Sequence, residues 1–290
     1  MAAPLVTIHH RDLRFDIDIA NTNAIRPHEE ALPSLVDKMM KRIHNDGYVK
    51  HPVIVDKKTL VILDGTHRFV ALKRLGCKWV PVCLVNYKSP QIHLSSWYRT
   101  ISDLKTENQL PTILKSFRVG ITKTTQKAAE SAVGSKLVPA SILTSQSGFI
   151  VNSKPMDIRR QYDLVKRIEE ATRKAGATIE YATPEDAKHA LNNGTIDAVI
   201  VVPQIDKKSV ITVASKKQFF ARKATRHIIP ARPLNLFIPL EILRNRNLTV
   251  IRAKLKELFR KKHLKHLPPG STVGGRSYEE DVYVFGDMQS

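Results

Sequence analysis

The chain has 290 residues, 42% of them hydrophobic and 26% charged, enough apolar material for one large or two medium domains and too much for a disordered chain. Its two cysteines, Cys77 and Cys83, make neither a disulfide framework nor a zinc spacing, and no apolar run is long enough to cross a membrane, so a soluble cytoplasmic protein is expected. The formal charge of +20 favours acidic partners, such as phosphorylated ligands or nucleic acid, without choosing among them; a thermophilic or halotolerant host would account for it equally.

Residues 1–20 alternate loosely (Leu5, Val6, Ile8, then Phe15, Ile17, Ile19), which predicts one or two strands. Pro27 interrupts the chain ahead of His28 and Glu29. Leu35, Val36, Met39, Met40 and Ile43 recur at helical spacing, with Ser34 as the expected N-cap and Gly47 as the stop. Pro52 to Val55 and Leu60 to Leu63 read as strands, Thr66 to Leu75 as a helix and Trp79 to Tyr87 as a further strand. The region from Thr100 to Ser147 has no clear boundaries. Asp157 to Lys174 is a long helix ended by Gly176, Ala177 to Tyr181 a strand, Thr183-Pro184-Glu185-Asp186 a helix start, and Ile196 to Val202 a buried strand. Leu248 to Leu264 is a basic amphipathic helix, and the glycine-bearing tail after Pro268 reads as a flexible arm in which Val282 to Phe285 offers an edge strand.

The stretch Val61-Ile62-Leu63-Asp64-Gly65-Thr66-His67-Arg68 carries the most chemistry. A strand broken by Gly65 and followed directly by a helix leaves backbone N–H groups of residues 65–68 without intrahelical partners, which makes a natural anion site. His67 and Arg68 add donors, and Asp64 offers a carboxylate for a metal ion. Glu29 serves as a general base or merely as a surface carboxylate. Thr225-Arg226-His227 offers a guanidinium fork suited to carboxylate or phosphate, or a basic turn, and Trp97-Tyr98-Arg99 lines a pocket or packs a hinge.

Taken in order, four of these sites resemble the free L-serine kinases of the ParB/sulfiredoxin superfamily. Pro27-His28-Glu29 matches the family's Pro-His-Glu, Asp64-Gly65-Thr66-His67-Arg68 its Asp-Gly-His-His-Arg, Trp97-Tyr98 its Trp-Tyr and Thr225-Arg226-His227 its Thr-Arg-His, over roughly residues 15–245. Thr66 departs from the family histidine, and a threonine there cannot do the thiol chemistry of a sulfiredoxin. The resemblance implies an α+β protein: a ParB/sulfiredoxin-like nucleotide-binding domain over 1–92, a second α/β domain over 93–243 completing the serine site, and a basic C-terminal helical extension over 244–290. It further implies phosphoryl transfer from ADP or ATP to L-serine with Mg²⁺ at Asp64, the nucleotide phosphates on Gly65, Thr66, His67 and Arg68, and Glu29 as base. Serine would lie against Trp97, Thr225, Arg226 and His227. Two other readings stand beside it. One is a ParB-like nucleic-acid-binding protein using the basic extension, with Thr125 to Gly134 as the one helix-turn-helix candidate; the other is a nucleotide or amino-acid sensor without turnover.

Overall fold

The computed structural model describes residues 3–106, 109–117 and 119–287; the last three residues of the expected arm lie outside these. The chain divides into two compact units, one of Met1–His93, Ala214–Lys217 and His227–Ser290, the other of Leu94–Val213 and Gln218–Arg226.

The first unit begins with β1 (Val6–His10), β2 (Leu13–Asn21), α1 (Pro33–Asp46), β3 (Tyr48–Val49), β4 (Val53–Asp56), β5 (Ile62–Asp64), α2 (Thr66–Arg74) and β6 (Trp79–Val85). Five of these strands form a sheet in the order β1-β2-β6-β4-β5, antiparallel except for the parallel pair β4 and β6. Leu13, Phe15, Ile17 and Ile19 alternate along β2 and are all buried, as period-two patterning requires of a strand with one face on the core. Helix α1 starts earlier than expected. Leu32, not Ser34, is its N-cap and supplies no side-chain bond, because Pro33 takes the first helical position, where a missing N–H costs nothing. Gly47 ends it in the left-handed conformation, as the spacing predicts. Both cysteines are buried, and burial pushes the Cys77 thiol up to about 11 and that of Cys83 higher still, so their part is packing.

Past β7 (His93–Ser95), the second unit holds β8 (Tyr98–Ser102), α3 (Gln109–Lys115), β9 (Gly120–Thr124), α4 (Gln126–Gly134), β10 (Ala140–Thr144), β11 (Gly148–Asn152), α5 (Ile158–Lys174), β12 (Thr178–Ala182), α6 (Pro184–Asn192), β13 (Ala198–Val201) and α7 (Lys207–Ser215). Its six strands, in the order β12-β8-β13-β10-β11-β9, pair antiparallel throughout. The expected strand–helix–strand of β12, α6 and β13 is therefore split: β8 lies between its two strands and pairs with both. The helix-turn-helix candidate is a single helix, α4, capped by Thr125 and set between two strands. Arg99 belongs to this unit's interior, where its Nε donates to Glu169 at 2.6 Å and its guanidinium lies between Tyr162 and Tyr181.

The C-terminal part contributes β14 (Arg226–Ile228), β15 (Ala231–Leu234), β16 (Ile238–Pro239), α8 (Leu240–Arg244), α9 (Leu248–Arg260), β17 (Lys262–Leu267), β18 (Thr272–Val273), β19 (Arg276–Ser277) and β20 (Asp281–Asp287). Helix α9 buries Ile251, Leu255 and Phe259 and stops at Arg260, not Leu264, because the chain turns into β17. The tail is not a loose arm. Gly274 and Gly275, at φ 58° and 78°, form the two-residue turn of the β18–β19 hairpin, a turn whose central residues both need positive φ. Strand β20 then runs through the middle of a sheet, parallel to β15 and antiparallel to β17, with Val282 and Phe285 buried. Residues 244–290, expected as a separate extension, thus belong to the first unit.

Candidate active site

The strand-to-helix elbow is built as its residues dictate. Gly65 caps α2 at φ 98°, a conformation that costs a residue with Cβ about 1–2 kcal/mol. A Cβ there would stand 2.8 Å from Nη1 of Arg68 and 3.4 Å from Cα of Val53, so the position is shaped by close approach as well as by torsion. No side chain caps the helix, and its first internal bond runs from the Phe69 N–H to the Gly65 carbonyl at 2.9 Å. The amides of Thr66, His67 and Arg68 precede that bond and form the positive end of α2. Nε2 of His67 accepts the Leu32 N–H at 3.1 Å, so this imidazole ties the elbow to the start of α1.

Asp64, at the end of β5, is held by a residue that the sequence does not suggest. Arg232 of β15 donates to Oδ2 of Asp64 at 2.8 Å and also grips Glu280. Burial raises the Asp64 carboxyl, but Arg232 and Arg68 outweigh it and hold the group below the usual carboxylate range. Arg68 in turn donates to the Pro52 carbonyl at 2.5 Å. Around these lies a small, open cleft lined by His51, Asp64, Arg68, Arg232, Arg276 and Tyr278 among others. Burial, and then Arg68, push the His51 imidazole down to about 3; neutral, it accepts the Asn235 N–H at 3.1 Å through Nδ1. Three guanidiniums, of Arg68, Arg232 and Arg276, stand against the carboxylates of Asp64 and Glu280, which leaves the cleft with a net positive charge. A basic residue two positions into a short strand was the only sequence signal for Arg232, and its partners stand 168 and 48 residues away.

Glu29 reaches this end of the sheet through its neighbours. The segment at Arg26 pairs parallel with Val61, the Arg26 N–H bonding the Leu60 carbonyl at 2.9 Å and the Ile62 N–H bonding the Arg26 carbonyl at 3.0 Å. Because the two chains run the same way, Glu29 and Asp64, each three residues on, leave the pairing at the same end. His28 is buried and hydrogen-bonded to the Ile62 backbone, and desolvation lowers its imidazole to about 4. Its ring meets that of His227 edge-on at 5.4 Å, and Nε2 of His227 lies 2.9 Å from the Tyr87 hydroxyl. These three rings form one cluster in the first unit. Trp97, Thr225 and Arg226 belong to the second unit. There the Trp97 ring lies 5.3 Å from the Arg226 guanidinium and 4.5 Å from Nζ of Lys223, a cation–π arrangement.

The fold and the elbow define an α+β protein whose first unit carries a mixed five-stranded sheet leading into an uncapped helix start. No family model matches the chain. It is 27% identical over 240 residues to an ATP-dependent L-serine kinase of Staphylothermus marinus, covering 78% of this chain and 90% of that one. It is 24% identical over 238 residues to an ADP-dependent L-serine kinase of Thermococcus kodakarensis, covering 79% and 94%. A solved mutant free serine kinase in complex with AMP superposes with a TM-score of 0.69 at 21% identity, over 79% of this chain and 94% of the other. The chain is a homologue of the L-serine kinases and has the free serine kinase fold.

Proposed function

We propose that the chain is a free L-serine kinase, moving the terminal phosphoryl group of ADP or ATP to the serine hydroxyl and releasing O-phosphoserine. The observation that carries the reading is the elbow, Asp64 to Arg68 with Arg232 behind it, in a chain that aligns over 78–79% of its own length with relatives named as L-serine kinases. Phosphoryl transfer is mostly positioning and charge neutralisation, which is what an uncapped helix terminus and guanidiniums supply.

The individual roles follow from the chemistry of each group. The amides of Gly65, Thr66, His67 and Arg68 and the Arg68 guanidinium receive the nucleotide phosphates. His67 contributes through its backbone, its Nε2 being engaged with Leu32. Thr66 supplies a hydroxyl at the first helical position in place of the family imidazole. Glu29 accepts the serine hydroxyl proton. Trp97, Thr225, Arg226 and His227 bind the amino acid, with the Arg226 fork on its carboxylate. Mg²⁺ fits as an ion brought in by the phosphates: Asp64 is ionised and its side chain 40% exposed, and one carboxylate suffices when phosphates complete the shell. When bound, the ion neutralises charge on the transferring phosphoryl group. The helix-turn-helix candidate of the nucleic-acid reading is, among the described residues, one strand-flanked helix.

The test is direct. Purified chain with serine and Mg²⁺ is incubated with ADP and with ATP separately, and phosphoserine is read by ³¹P NMR. Phosphoserine should form with at least one donor, and Glu29→Gln should lower turnover by about a hundredfold or more, the typical share of a general base, while leaving nucleotide affinity within about twofold. No phosphoserine from either nucleotide would end the proposal.

A further inference from the structure

Away from the elbow, three potential ligands from distant parts of the sequence converge in the first unit. His10 ends β1, His266 lies in β17 and Asp281 opens β20; one donor atom from each lies within 4.8 Å of the others. Nε2 of His266 is 2.6 Å from Oδ1 of Asp281, and Nε2 of His10 is 3.7 Å from Oδ2 of the same carboxylate. His10 is 7% exposed, and its Nε2 has no hydrogen-bond partner among the described residues.

The other side of the ring offers a way to hold the metal-binding tautomer. The Tyr283 hydroxyl contacts the His9 carbonyl at 3.4 Å, where only the hydroxyl can donate. With the hydroxyl turned to that carbonyl, its oxygen can accept Nδ1–H of His10 across the 3.1 Å between them. In that tautomer Nε2 of His10, buried and without a hydrogen-bond partner among the described residues, presents a lone pair toward the Asp281 carboxylate. A lone pair and a carboxylate turned toward each other, with a second imidazole on the same carboxylate, suit a cation between them. A metal-bound histidine oriented by a hydrogen bond at its second nitrogen is the usual arrangement.

We propose that His10, His266 and Asp281 form a site for a first-row divalent transition ion, zinc foremost, which ties the N-terminal strand to the C-terminal sheet. Two imidazoles and one carboxylate are donors for zinc and its neighbours and a poor set for magnesium, which prefers oxygen throughout. Tetrahedral geometry with bonds of about 2.1 Å puts ligand atoms roughly 3.4 Å apart. The His10–Asp281 spacing of 3.7 Å is close to that, and the His266 side chain, 50% exposed, has room to draw back from 2.6 Å as the ion replaces the shared hydrogen. Water would complete the coordination. The site does not depend on the phosphoryl-transfer reading.

The full chain, stripped with chelator and dialysed, is titrated with Zn²⁺ by calorimetry and with Co²⁺ by visible absorption. One equivalent should bind, with a Co²⁺ spectrum of low symmetry and a rise in Tm. Loss of an outer-shell partner typically costs ~10–100-fold, so Tyr283→Phe should weaken binding by about tenfold and His266→Gln by at least about a hundredfold. His266 is exposed, so its replacement should leave the fold intact, checked by an unchanged circular dichroism spectrum. Absence of Zn²⁺ binding, or equal binding by wild type and His266→Gln, would overturn the proposal.

Discussion

Replacing Gly65 by alanine isolates the close approach at the elbow, provided it is compared with the same change at Gly76. Both glycines have positive φ, 98° and 75°, so alanine at either pays the left-handed backbone cost of roughly 1–2 kcal/mol. At Gly76 a Cβ meets nothing within 4 Å, and that cost is the whole effect. At Gly65 the Cβ would lie 2.8 Å from Nη1 of Arg68, below any real contact, with Val53 Cα at 3.4 Å limiting retreat. The guanidinium, the far end of a flexible side chain, must shift, which strains its bond to the Pro52 carbonyl. A bond from a charged donor is worth about 1.5–3 kcal/mol, so Gly65→Ala should exceed Gly76→Ala in urea denaturation by a margin of up to that size. The displaced guanidinium should also weaken ADP binding about tenfold, measured by calorimetry, while Gly76→Ala binds as wild type. Equal destabilisation of the two variants, or unchanged ADP affinity in Gly65→Ala, would show that the elbow does not work as described.

Arg232→Ala removes the shared partner of Asp64 and Glu280. Breaking a fully buried pair costs about 3–5 kcal/mol; with the Asp64 side chain 40% exposed, roughly 2 kcal/mol is expected, and the Asp64 carboxyl should titrate upward in a ¹³C NMR experiment, an unmoved titration refuting the role. His28 gives a pH signature. Its folded pKa, about 4, is below the unfolded value of 6.5, so the unfolded chain binds the extra proton between those values and stability is complete above pH 6.5 and lost as pH falls toward 4. The loss should approach ~3 kcal/mol, and His28→Gln should flatten the slope of urea midpoints across that window; an unchanged slope would mean that another group sets it.

The elbow was legible because its causes are local. An apolar run, a glycine and a helical repeat follow one another within about a turn, and each element's propensity agrees with its place. Arg232 was illegible for the opposite reason: its value depends on Asp64 and Glu280, brought to it only when β15 and β20 pair. The tail misled in a different way. Glycines at 270, 274 and 275 suggest freedom, yet two of them are needed by a tight hairpin that aims β20 back through the sheet. The Thr100 to Ser147 region gave no period because its strands are short and β9 is largely exposed, so no single face is consistently apolar.

The C-terminal segment bears on the remaining rival. Deleting residues 244–290 looks like a test for nucleic-acid binding through a basic arm, but it would remove β20, the middle strand beside β15, and with it Glu280, which steadies Arg232 on Asp64. Arg252, in the same segment, is paired with Asp18 at 2.6 Å. Such a deletion should abolish phosphoserine formation by damaging the elbow, whatever the arm binds. The separable perturbation is the outward face of α9. Lys254, Lys256 and Arg260 are exposed, while the helix's apolar residues Ile251, Leu255 and Phe259 are spent on packing. Changing the three to glutamine removes charge without removing contacts, and surface changes of this kind stay within about 0.5 kcal/mol each. Serine phosphorylation should then persist within about twofold, and any residual DNA binding, followed by fluorescence anisotropy, should weaken alike for all sequences with a shallower salt slope. Loss of serine phosphorylation in that variant with its fold intact would place the basic face in the reaction and refute this division of labour.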